Sequence, residues 1–259
     1  MSISSKRTRF KASTESGSPR EELLGRIAGY DWAAVRASLD AQGYARLPGL
    51  LTRVQCDELI SLYPERDRFR SFIEMGPRRY GEGSYRYFAN PLPALVRTLR
   101  THVYSRLARV ANDWNNALKR KERYPSRLAP FLAKCHREGQ HRPTPLLLHY
   151  EADGFNCMHQ DVYGAVAFPL QLACLLSASP VDEKPGFSGG EFLIGEQRPR
   201  QQTRVEALTL CRGEGLIFAN QFRPIIGGRG AYRAVMKHGV SRVRHGERIA
   251  LGVIFHDAE

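Results

Sequence analysis

The sequence predicts an α+β protein that is mainly β, with helices on its N-terminal side and a sandwich or jelly roll in its C-terminal half. Two observations carry this prediction. Helical spacing of apolar residues dominates up to residue 144, whereas from residue 145 short apolar or alternating runs are separated by Gly, Pro and Asp. The composition agrees, because 259 residues with 42% hydrophobic and 25% charged residues can bury a substantial core.

The N-terminal helices are predicted from their caps. Ser18-Pro19-Arg20-Glu21 resembles a capping box with Pro at the first helical position, and Asp31 and Thr52 are suited to cap two further helices. A strand and turn are expected over 43–51, between the second and third helices. Residues 95–120 carry the longest helical pattern, with apolar residues on one face and basic residues on the other.

The C-terminal strands are predicted from short apolar runs that end at turn residues, a spacing typical of a sandwich or jelly roll. The expected strands span 146–150, 170–176, 191–194, 207–210, 216–219, 235–240 and 249–255. We expect residues 145–259 to form a β core that is one continuous domain with residues 19–144. Residues 1–18, rich in Ser, Thr, Lys and Arg, are expected to be a disordered basic tail.

The net charge is strongly localised. The chain has 39 Lys and Arg against 26 Asp and Glu, a formal charge of +13. Residues 66–142 hold 18 basic and 6 acidic residues, whereas residues 143–259 hold 12 of each. A basic excess of this kind indicates a polyanionic partner, either nucleic acid or an acidic membrane surface.

Several classes of protein are disfavoured by the sequence. Five scattered cysteines without Cys-x-x-Cys spacing predict neither a disulfide framework nor a zinc site. The N-terminus has no apolar stretch after its basic residues, and the most apolar run, 165–176, is far shorter than the ~20 residues that span a bilayer. We therefore expect a soluble, cytoplasmic, monomeric protein with no membrane partner.

The segment from Tyr150 to Asp161 carries the clearest chemical signal. In a strand, residues two apart point to the same face, so His159 and Asp161 can converge on one ion. His238 is the candidate for a third ligand. Two imidazoles and one carboxylate on one face of a metal form the arrangement that non-haem Fe(II) uses with oxygen.

Two further residues extend this pattern. Arg248 lies ten residues after His238 and opens the last expected strand, where its rigid guanidinium could hold a dicarboxylate. Tyr150 lies nine residues before His159 on the preceding strand and could donate to the same acid. Between the two halves of the candidate site, residues 189–193 predict a turn followed by a strand.

The order Tyr150, His159-Gln-Asp161, Gly-Gly-Glu-Phe, His238 and Arg248 resembles the 2-oxoglutarate- and Fe(II)-dependent oxygenases, over about residues 145–259. The resemblance implies a double-stranded β-helix (jelly roll) in which His159, Asp161 and His238 bind Fe(II). It further implies that Arg248 pairs with the distal carboxylate of 2-oxoglutarate, that Tyr150 hydrogen-bonds to that carboxylate, and that O2 is the co-substrate.

Within this superfamily, the spacing from Tyr150 to His-Gln-Asp is similar to that of the alkylated-DNA repair (AlkB-type) dioxygenases, and a bacterial group of nucleic-acid oxygenases resembles the chain more fully. The repair enzymes end in Arg-x-Asn-x-Thr-x-Arg, whereas Arg248 is followed by Ala250, Gly252 and Ile254. The ten-residue spacing from His238 to Arg248 is similar to that of prolyl hydroxylases instead.

A glycine-rich segment over 76–90 interleaves aromatic and basic residues. It is interpreted either as a polar hairpin or as a substrate lid, in which rings stack on bases and arginines meet phosphates. The candidate substrate-binding residues are Arg78, Arg79, Tyr80, Tyr85, Arg86 and Tyr87.

These patterns favour one function and leave two alternatives open. The favoured function is an Fe(II)- and 2-oxoglutarate-dependent dioxygenase that acts on nucleic acid, in particular by oxidative dealkylation of damaged DNA bases. One alternative is a protein or amino-acid hydroxylase of the same superfamily. The other is an inactive jelly-roll module that binds nucleic acid through its basic segment.

Overall fold

The computed structural model of the protein describes residues 18–178, 186–228 and 230–259. The basic tail predicted over residues 1–18 lies outside the described residues, apart from Ser18. Within the described ranges, no helix is long and apolar enough to cross a membrane.

Within the described residues, five α-helices form the N-terminal side of the molecule. The predicted caps are confirmed: Ser18 and Glu21 form a reciprocal capping box, Asp31 accepts two backbone N–H groups, and Thr52 pairs with Gln55 in a second capping box. The last helix was not expected from the sequence, because its first turn contains Pro130 and its apolar face is short. The helices are α1 (Pro19–Gly29), α2 (Trp32–Gln42), α3 (Arg53–Ser61), α4 (Ala94–Ala117) and α5 (Leu128–Arg137).

The part of the chain that the structure describes also contains fifteen strands, some of only two residues, which follow and interleave with these helices. Those predicted from continuous apolar runs lie close to their expected positions, whereas β2 and β12 were missed because arginine or proline interrupts their apolar pattern. The strands are β1 (Tyr44–Leu47), β2 (Phe69–Glu74), β3 (Gly81–Glu82), β4 (Ser84–Phe88), β5 (Leu146–Tyr150), β6 (Phe155–His159), β7 (Leu170–Leu175), β8 (Ser188–Gly189), β9 (Phe192–Gln197), β10 (Arg204–Leu208), β11 (Gly215–Ala219), β12 (Phe222–Gly227), β13 (Gly230–Val240), β14 (Val243–His245) and β15 (Arg248–Val253).

Two main antiparallel sheets form the β core. One has seven strands in the order β1-β11-β7-β15-β5-β4-β2, and the other has the order β10-β9-β13-β6-β3, with β12 also paired to β13. Phe192 of the second sheet contacts Phe218 of the first, with ring centroids 4.9 Å apart. Strands β5 and β6, which follow each other in the sequence, lie in different sheets, as in a jelly roll. The predicted fold class is confirmed.

The long helix α4 ties the helical side to this core. It packs against α1 and contacts β12 and β15. Its buried Arg100 donates to Asp257 at 2.7 Å and to the carbonyl oxygens of Ile254 and Phe255. Because a buried guanidinium is costly without partners, this cluster anchors the chain that follows β15 to the helix.

The segment over 76–90 is part of the sheets. Residues 76–78 form a 3-10 turn, β3 pairs with β6, and β4 is hydrogen-bonded on both edges, to β2 and to β5. The hairpin interpretation fits this pairing. Residues 84–88 are therefore part of a sheet and not of a separate lid. The turn before β3 is the part of the segment that could still act as one.

Candidate active site

Three side chains that the sequence singles out meet between the two sheets. His159 ends β6, and His238 lies directly opposite it in β13. Asp161 places one carboxylate oxygen 3.6 Å from Nε2 of His159 and the other 3.4 Å from Nε2 of His238. One ligand atom from each residue lies within 4.8 Å of the other two, so the three could hold one metal ion.

Asp161 lies two residues beyond the end of β6, outside the strand in which the sequence placed it. Its convergence with His159 is therefore set by long-range hydrogen bonds rather than by strand alternation. Asn220 accepts from the backbone N–H of Asp161 at 2.8 Å and donates to its carbonyl oxygen at 2.6 Å. The Tyr163 hydroxyl donates to Oδ1 of Asp161 at 2.7 Å and accepts from Tyr87 at 3.0 Å.

The protonation states of this cluster suit a metal. Burial alone would raise the pKa of Asp161, but the hydrogen bond and charge of His238, the charge of His159 and the Tyr163 hydroxyl together hold that pKa well below its usual range. Burial and the neighbouring His159 lower the pKa of His238. An ionised carboxylate and a neutral imidazole are the forms in which Asp and His bind metals, and the shifts of Asp161 and His238 favour those forms.

The ring orientation of His159 also favours a ligand role. Its Nδ1 lies 2.7 Å from the carbonyl oxygen of Cys157, which can only accept a hydrogen bond. Nδ1 therefore carries a hydrogen, which leaves Nε2, the nitrogen that faces the cluster, as the position for a metal. The donor set of two imidazoles and one carboxylate fits Fe(II) in the arrangement that leaves half of the coordination sphere for other ligands.

Arg248 places a buried positive charge in the same cavity. It opens β15 directly opposite Tyr150 in β5, and its Nε donates to the carbonyl oxygen of Gly190 at 2.8 Å. Its two terminal nitrogens have no hydrogen-bond acceptor among the residues that the structure describes, and burial lowers the pKa of the guanidinium. A buried, unpaired guanidinium fits a carboxylate ligand, since the carboxylate would supply both the missing charge and the missing acceptors.

The close contact between Arg248 and the backbone of residue 190 requires a glycine at that position. A Cβ at position 190 would lie 2.8 Å from Cδ of Arg248, and the backbone there has a φ of +64°, which favours glycine. The turn predicted over 189–193 therefore supports the arginine directly.

Tyr150 is the second candidate for the carboxylate site. It is fully buried, its ring centroid lies 5.6 Å from the Arg248 guanidinium carbon, and its hydroxyl accepts from Asn156 at 3.3 Å. Burial raises the pKa of Tyr150 to about 12, so the hydroxyl keeps its hydrogen and can donate it to a carboxylate.

A cavity of about 410 Å³ joins the histidine–aspartate cluster to Arg248. Of the six candidate substrate residues, Arg79, Tyr80, Tyr85 and Tyr87 line the cavity, whereas Arg78 and Arg86 do not. Arg86 points to the opposite face of β4, where its guanidinium lies 4.7 Å from the ring centroids of both Tyr63 and Phe72. The period of two along a strand accounts for this split.

The cavity also contains polar residues that the sequence analysis did not identify. They are Tyr163, Asn156, Gln160 and Gln171. Tyr163 follows Asp161 by two residues, which was a usable signal. Nothing local in the sequence marks Gln171, whose buried Nε2 has no partner in the described part of the chain.

Comparison with known proteins places the chain in a family. The model of a family described as "Oxygenase, catalysing oxidative methylation of damaged DNA" matches residues 83–258. An uncharacterized protein of Mycobacterium tuberculosis, found in two strains, is 42% identical over 171 residues, which cover 66% of this chain and 72% of that protein.

The fold is similar to those of several solved structures at low sequence identity. A prolyl hydroxylase from Trichoplax adhaerens, solved with a hypoxia inducible factor peptide, has a TM-score of 0.53 and 12% identity, over 90% of this chain and 91% of that chain. An oxidoreductase of the 2OG-Fe(II) oxygenase family from Burkholderia pseudomallei has a TM-score of 0.50 and 16% identity, over 89% of this chain and 93% of that chain. The non-heme alpha ketoglutarate dependent epimerase of nogalamycin biosynthesis has a TM-score of 0.52 and 16% identity, over 86% of this chain and 81% of that chain.

These findings confirm the predicted fold and the resemblance to the nucleic-acid oxygenases, and they agree with Fe(II) and 2-oxoglutarate as the cofactors. The chain therefore belongs to the oxygenase family described as catalysing oxidative methylation of damaged DNA, on the fold of the Fe(II)- and 2-oxoglutarate-dependent dioxygenases.

Proposed function

We propose that this protein removes alkyl groups oxidatively from damaged DNA bases, with Fe(II) held by His159, Asp161 and His238. Arg248 and Tyr150 hold the distal carboxylate of 2-oxoglutarate. One observation carries the proposal: a metal-ligating cluster and a buried, unpaired guanidinium share a single tyrosine-lined cavity.

The cofactors supply the oxidising power when bound: 2-oxoglutarate is decarboxylated to succinate while O2 provides the oxygen atom that hydroxylates a C–H bond of the substrate. The protein positions the reactants. Arg248 and Tyr150 orient 2-oxoglutarate through its far end, Tyr163 holds one oxygen of Asp161, and Asn220 fixes the backbone of Asp161. The apolar walls of the cavity exclude water from the reacting carbon.

The tyrosines explain why a base would be accepted. Tyr80, Tyr85 and Tyr87 offer ring surfaces on which a planar base can stack, and such stacking is independent of base sequence. If the hydroxylated carbon is an N-methyl group, the N–CH2OH product loses formaldehyde and leaves N–H, which restores the base. The basic excess of residues 66–142 supports a polyanionic substrate.

A second candidate is a protein or amino-acid hydroxylase. The ten-residue spacing from His238 to Arg248 and the prolyl hydroxylase with a TM-score of 0.53 favour it. The remaining alternative, an inactive binding module, is disfavoured. The family is described as an oxygenase, and the cluster of His159, Asp161 and His238 is complete.

Two measurements test the proposal in sequence. Anaerobic addition of Fe(II) and 2-oxoglutarate should produce the weak visible charge-transfer absorption, and His238→Ala should abolish it while Arg242→Gln, an exposed charge change, leaves it unchanged. A panel of N-methylated DNA, RNA and peptide substrates then identifies the substrate. Formaldehyde from DNA supports the proposal, whereas hydroxylated peptide without formaldehyde from nucleic acid would establish the second candidate.

A further inference from the structure

Tyr85 and Tyr87 of β4 form one side of the cavity, called here the tyrosine wall. Arg70 occupies a β-bulge beside this wall. In the pairing of β2 with β4, Phe69 lies opposite Phe88 and Ser71 lies opposite Tyr87, so Arg70 has no residue across from it. A bulge re-aims the side chain of the extra residue. The Arg70 guanidinium carbon lies 4.4 Å from the centroid of the Tyr87 ring, on a tyrosine that lines the cavity.

The Arg70 guanidinium has N–H donors that form no hydrogen bond with a described residue. Its Nε donates to the carbonyl oxygen of Pro143 at 2.8 Å, and no carboxylate of the described residues pairs with it. Asp257, whose charge attracts Arg70 from a distance, already contacts Arg100 at 2.7 Å and His136 at 3.0 Å. Burial lowers the pKa of Arg70, which is the signature of a cation that has lost water without gaining an anion.

A second cation, Arg142, lies close enough for its charge to lower the pKa of Arg70. Arg142 directly precedes Pro143, the residue that accepts from Arg70, and its side chain is exposed. Within the described ranges Arg142 forms no ion pair, and its backbone is hydrogen-bonded to that of Ala258. Arg70, at the Tyr87 end of β4, and Arg142 near it are therefore two positive charges with no ion-pair partner among the described residues.

Arg78 and Arg79 lie at the other end of the same wall. At that end Glu74 of β2 pairs with Ser84 of β4, and the 3-10 turn that follows carries the chain to Arg79. The four residue steps of β4 from Ser84 to Phe88 span roughly 13 Å at about 3.3 Å per residue, so the two pairs flank the strand at its opposite ends. Both cavity-facing tyrosines of β4 lie between them.

We propose that Arg70 and Arg142 bind the phosphate backbone of a single nucleic-acid strand on one side of the cavity, while Arg78 and Arg79 bind it on the other. This inference rests on the proposed function and specifies how its substrate lies. A strand that bridges the two pairs passes over the tyrosines, so that one base can enter the cavity between two held phosphates. A base inside a duplex must first be extruded, and a single strand avoids that cost.

The test is the salt dependence of binding to a fluorescein-labelled oligothymidylate of about 15 nucleotides. The full-length protein is used with Mn(II) in place of Fe(II), so that no turnover occurs. The variants are Arg70→Gln, Arg142→Gln and the double variant. Arg109→Gln is the matched control, because it removes one charge from the 86% exposed Arg109 on helix α4.

Each lost phosphate contact should reduce the slope of log K against log[salt] by about 0.7, so the double variant should lose about 1.4. At low salt this corresponds to an affinity about tenfold weaker or more, whereas Arg109→Gln should bind as the wild type does. Arg142→Gln alone should show part of the loss, and its exposed position protects that result from any effect on folding.

Three results would overturn the proposal. The first is a double variant with the affinity and slope of the wild type while formaldehyde is still released from DNA, which would leave the proposed function standing. The second is wild-type protein that binds no oligonucleotide at low salt, which would remove the proposed function as well. The third is an acidic peptide of equal charge that binds as tightly and depends equally on Arg70 and Arg142.

Discussion

The hydroxyl of Tyr163 should control how tightly the protein holds its metal. Replacing Tyr163 with Phe removes the 2.7 Å hydrogen bond to Oδ1 of Asp161 and leaves the ring in place. That bond engages one carboxylate oxygen and leaves the other, which lies 3.4 Å from Nε2 of His238, available to bind a metal. Without this hydrogen bond, the Asp161 carboxylate can rotate. It also loses one of the interactions that stabilise its negative charge against burial.

The size of the effect follows from the type of bond. A hydrogen bond to a charged group contributes about 1.5–3 kcal/mol. Partners of ligating carboxylates typically change metal affinity by about 10–100-fold, which corresponds to about 1.4–2.8 kcal/mol. The two ranges agree, so Tyr163→Phe should weaken binding of Mn(II) or anaerobic Fe(II) by about 10–100-fold.

Titration calorimetry of the metal on the full-length protein measures this directly. Tyr85→Phe is the matched control, because Tyr85 lines the same cavity but donates no hydrogen bond to a described residue. Tyr87→Phe removes the donor to Tyr163 and should have a smaller effect than Tyr163→Phe. Metal affinity of Tyr163→Phe within twofold of the wild type would refute the positioning role.

Three other outcomes are expected. Arg248→Gln should weaken 2-oxoglutarate binding, measured by calorimetry, by about 30-fold or more, since loss of a buried charge partner costs about 2–5 kcal/mol; Arg242→Gln should not, and equal affinities would remove Arg248 from the carboxylate site. Burial lowers the pKa of His256 to about 4, so the unfolded state binds more protons below pH 6.5 and the free energy of unfolding should fall as the pH drops, by about 2 kcal/mol between pH 7.5 and pH 5. Urea unfolding of His256→Gln should lack that component, and an unchanged pH dependence would contradict the assignment. Phe168→Ala should lower the free energy of unfolding by about 3–5 kcal/mol, because its ring packs against Tyr104, Tyr124, Phe131 and Phe255, whereas Phe72→Ala at a 49% exposed position should cost less than about 1 kcal/mol.

The sequence predicted the features that depend on interactions between neighbouring residues, such as helix caps and a buried strand. The capping boxes at Ser18 and Thr52 and the buried apolar run of β5 are decided by neighbouring residues, and all three were placed correctly. The ligand candidates His159 and His238 were found because their chemistry is rare, and antiparallel pairing brings them opposite each other.

Long-range register accounts for what the sequence did not predict. Asp161 is held by Asn220, 59 residues away, rather than by the strand that was expected to contain it. Arg70 owes its direction to a bulge, and a bulge depends on how two strands align rather than on either strand alone. Arg86 was grouped with the cavity tyrosines although the alternation of β4 sends it to the opposite face.

The most direct test of the central claim is the ratio of two products. With Fe(II), 2-oxoglutarate and O2, single-stranded DNA that carries N-methylated bases should stimulate succinate formation above the rate without DNA. Formaldehyde should then appear in equal amount to the stimulated succinate, and both should disappear in Asp161→Ala. Succinate that no nucleic acid stimulates, with formaldehyde absent across methylated DNA and RNA, would contradict the account.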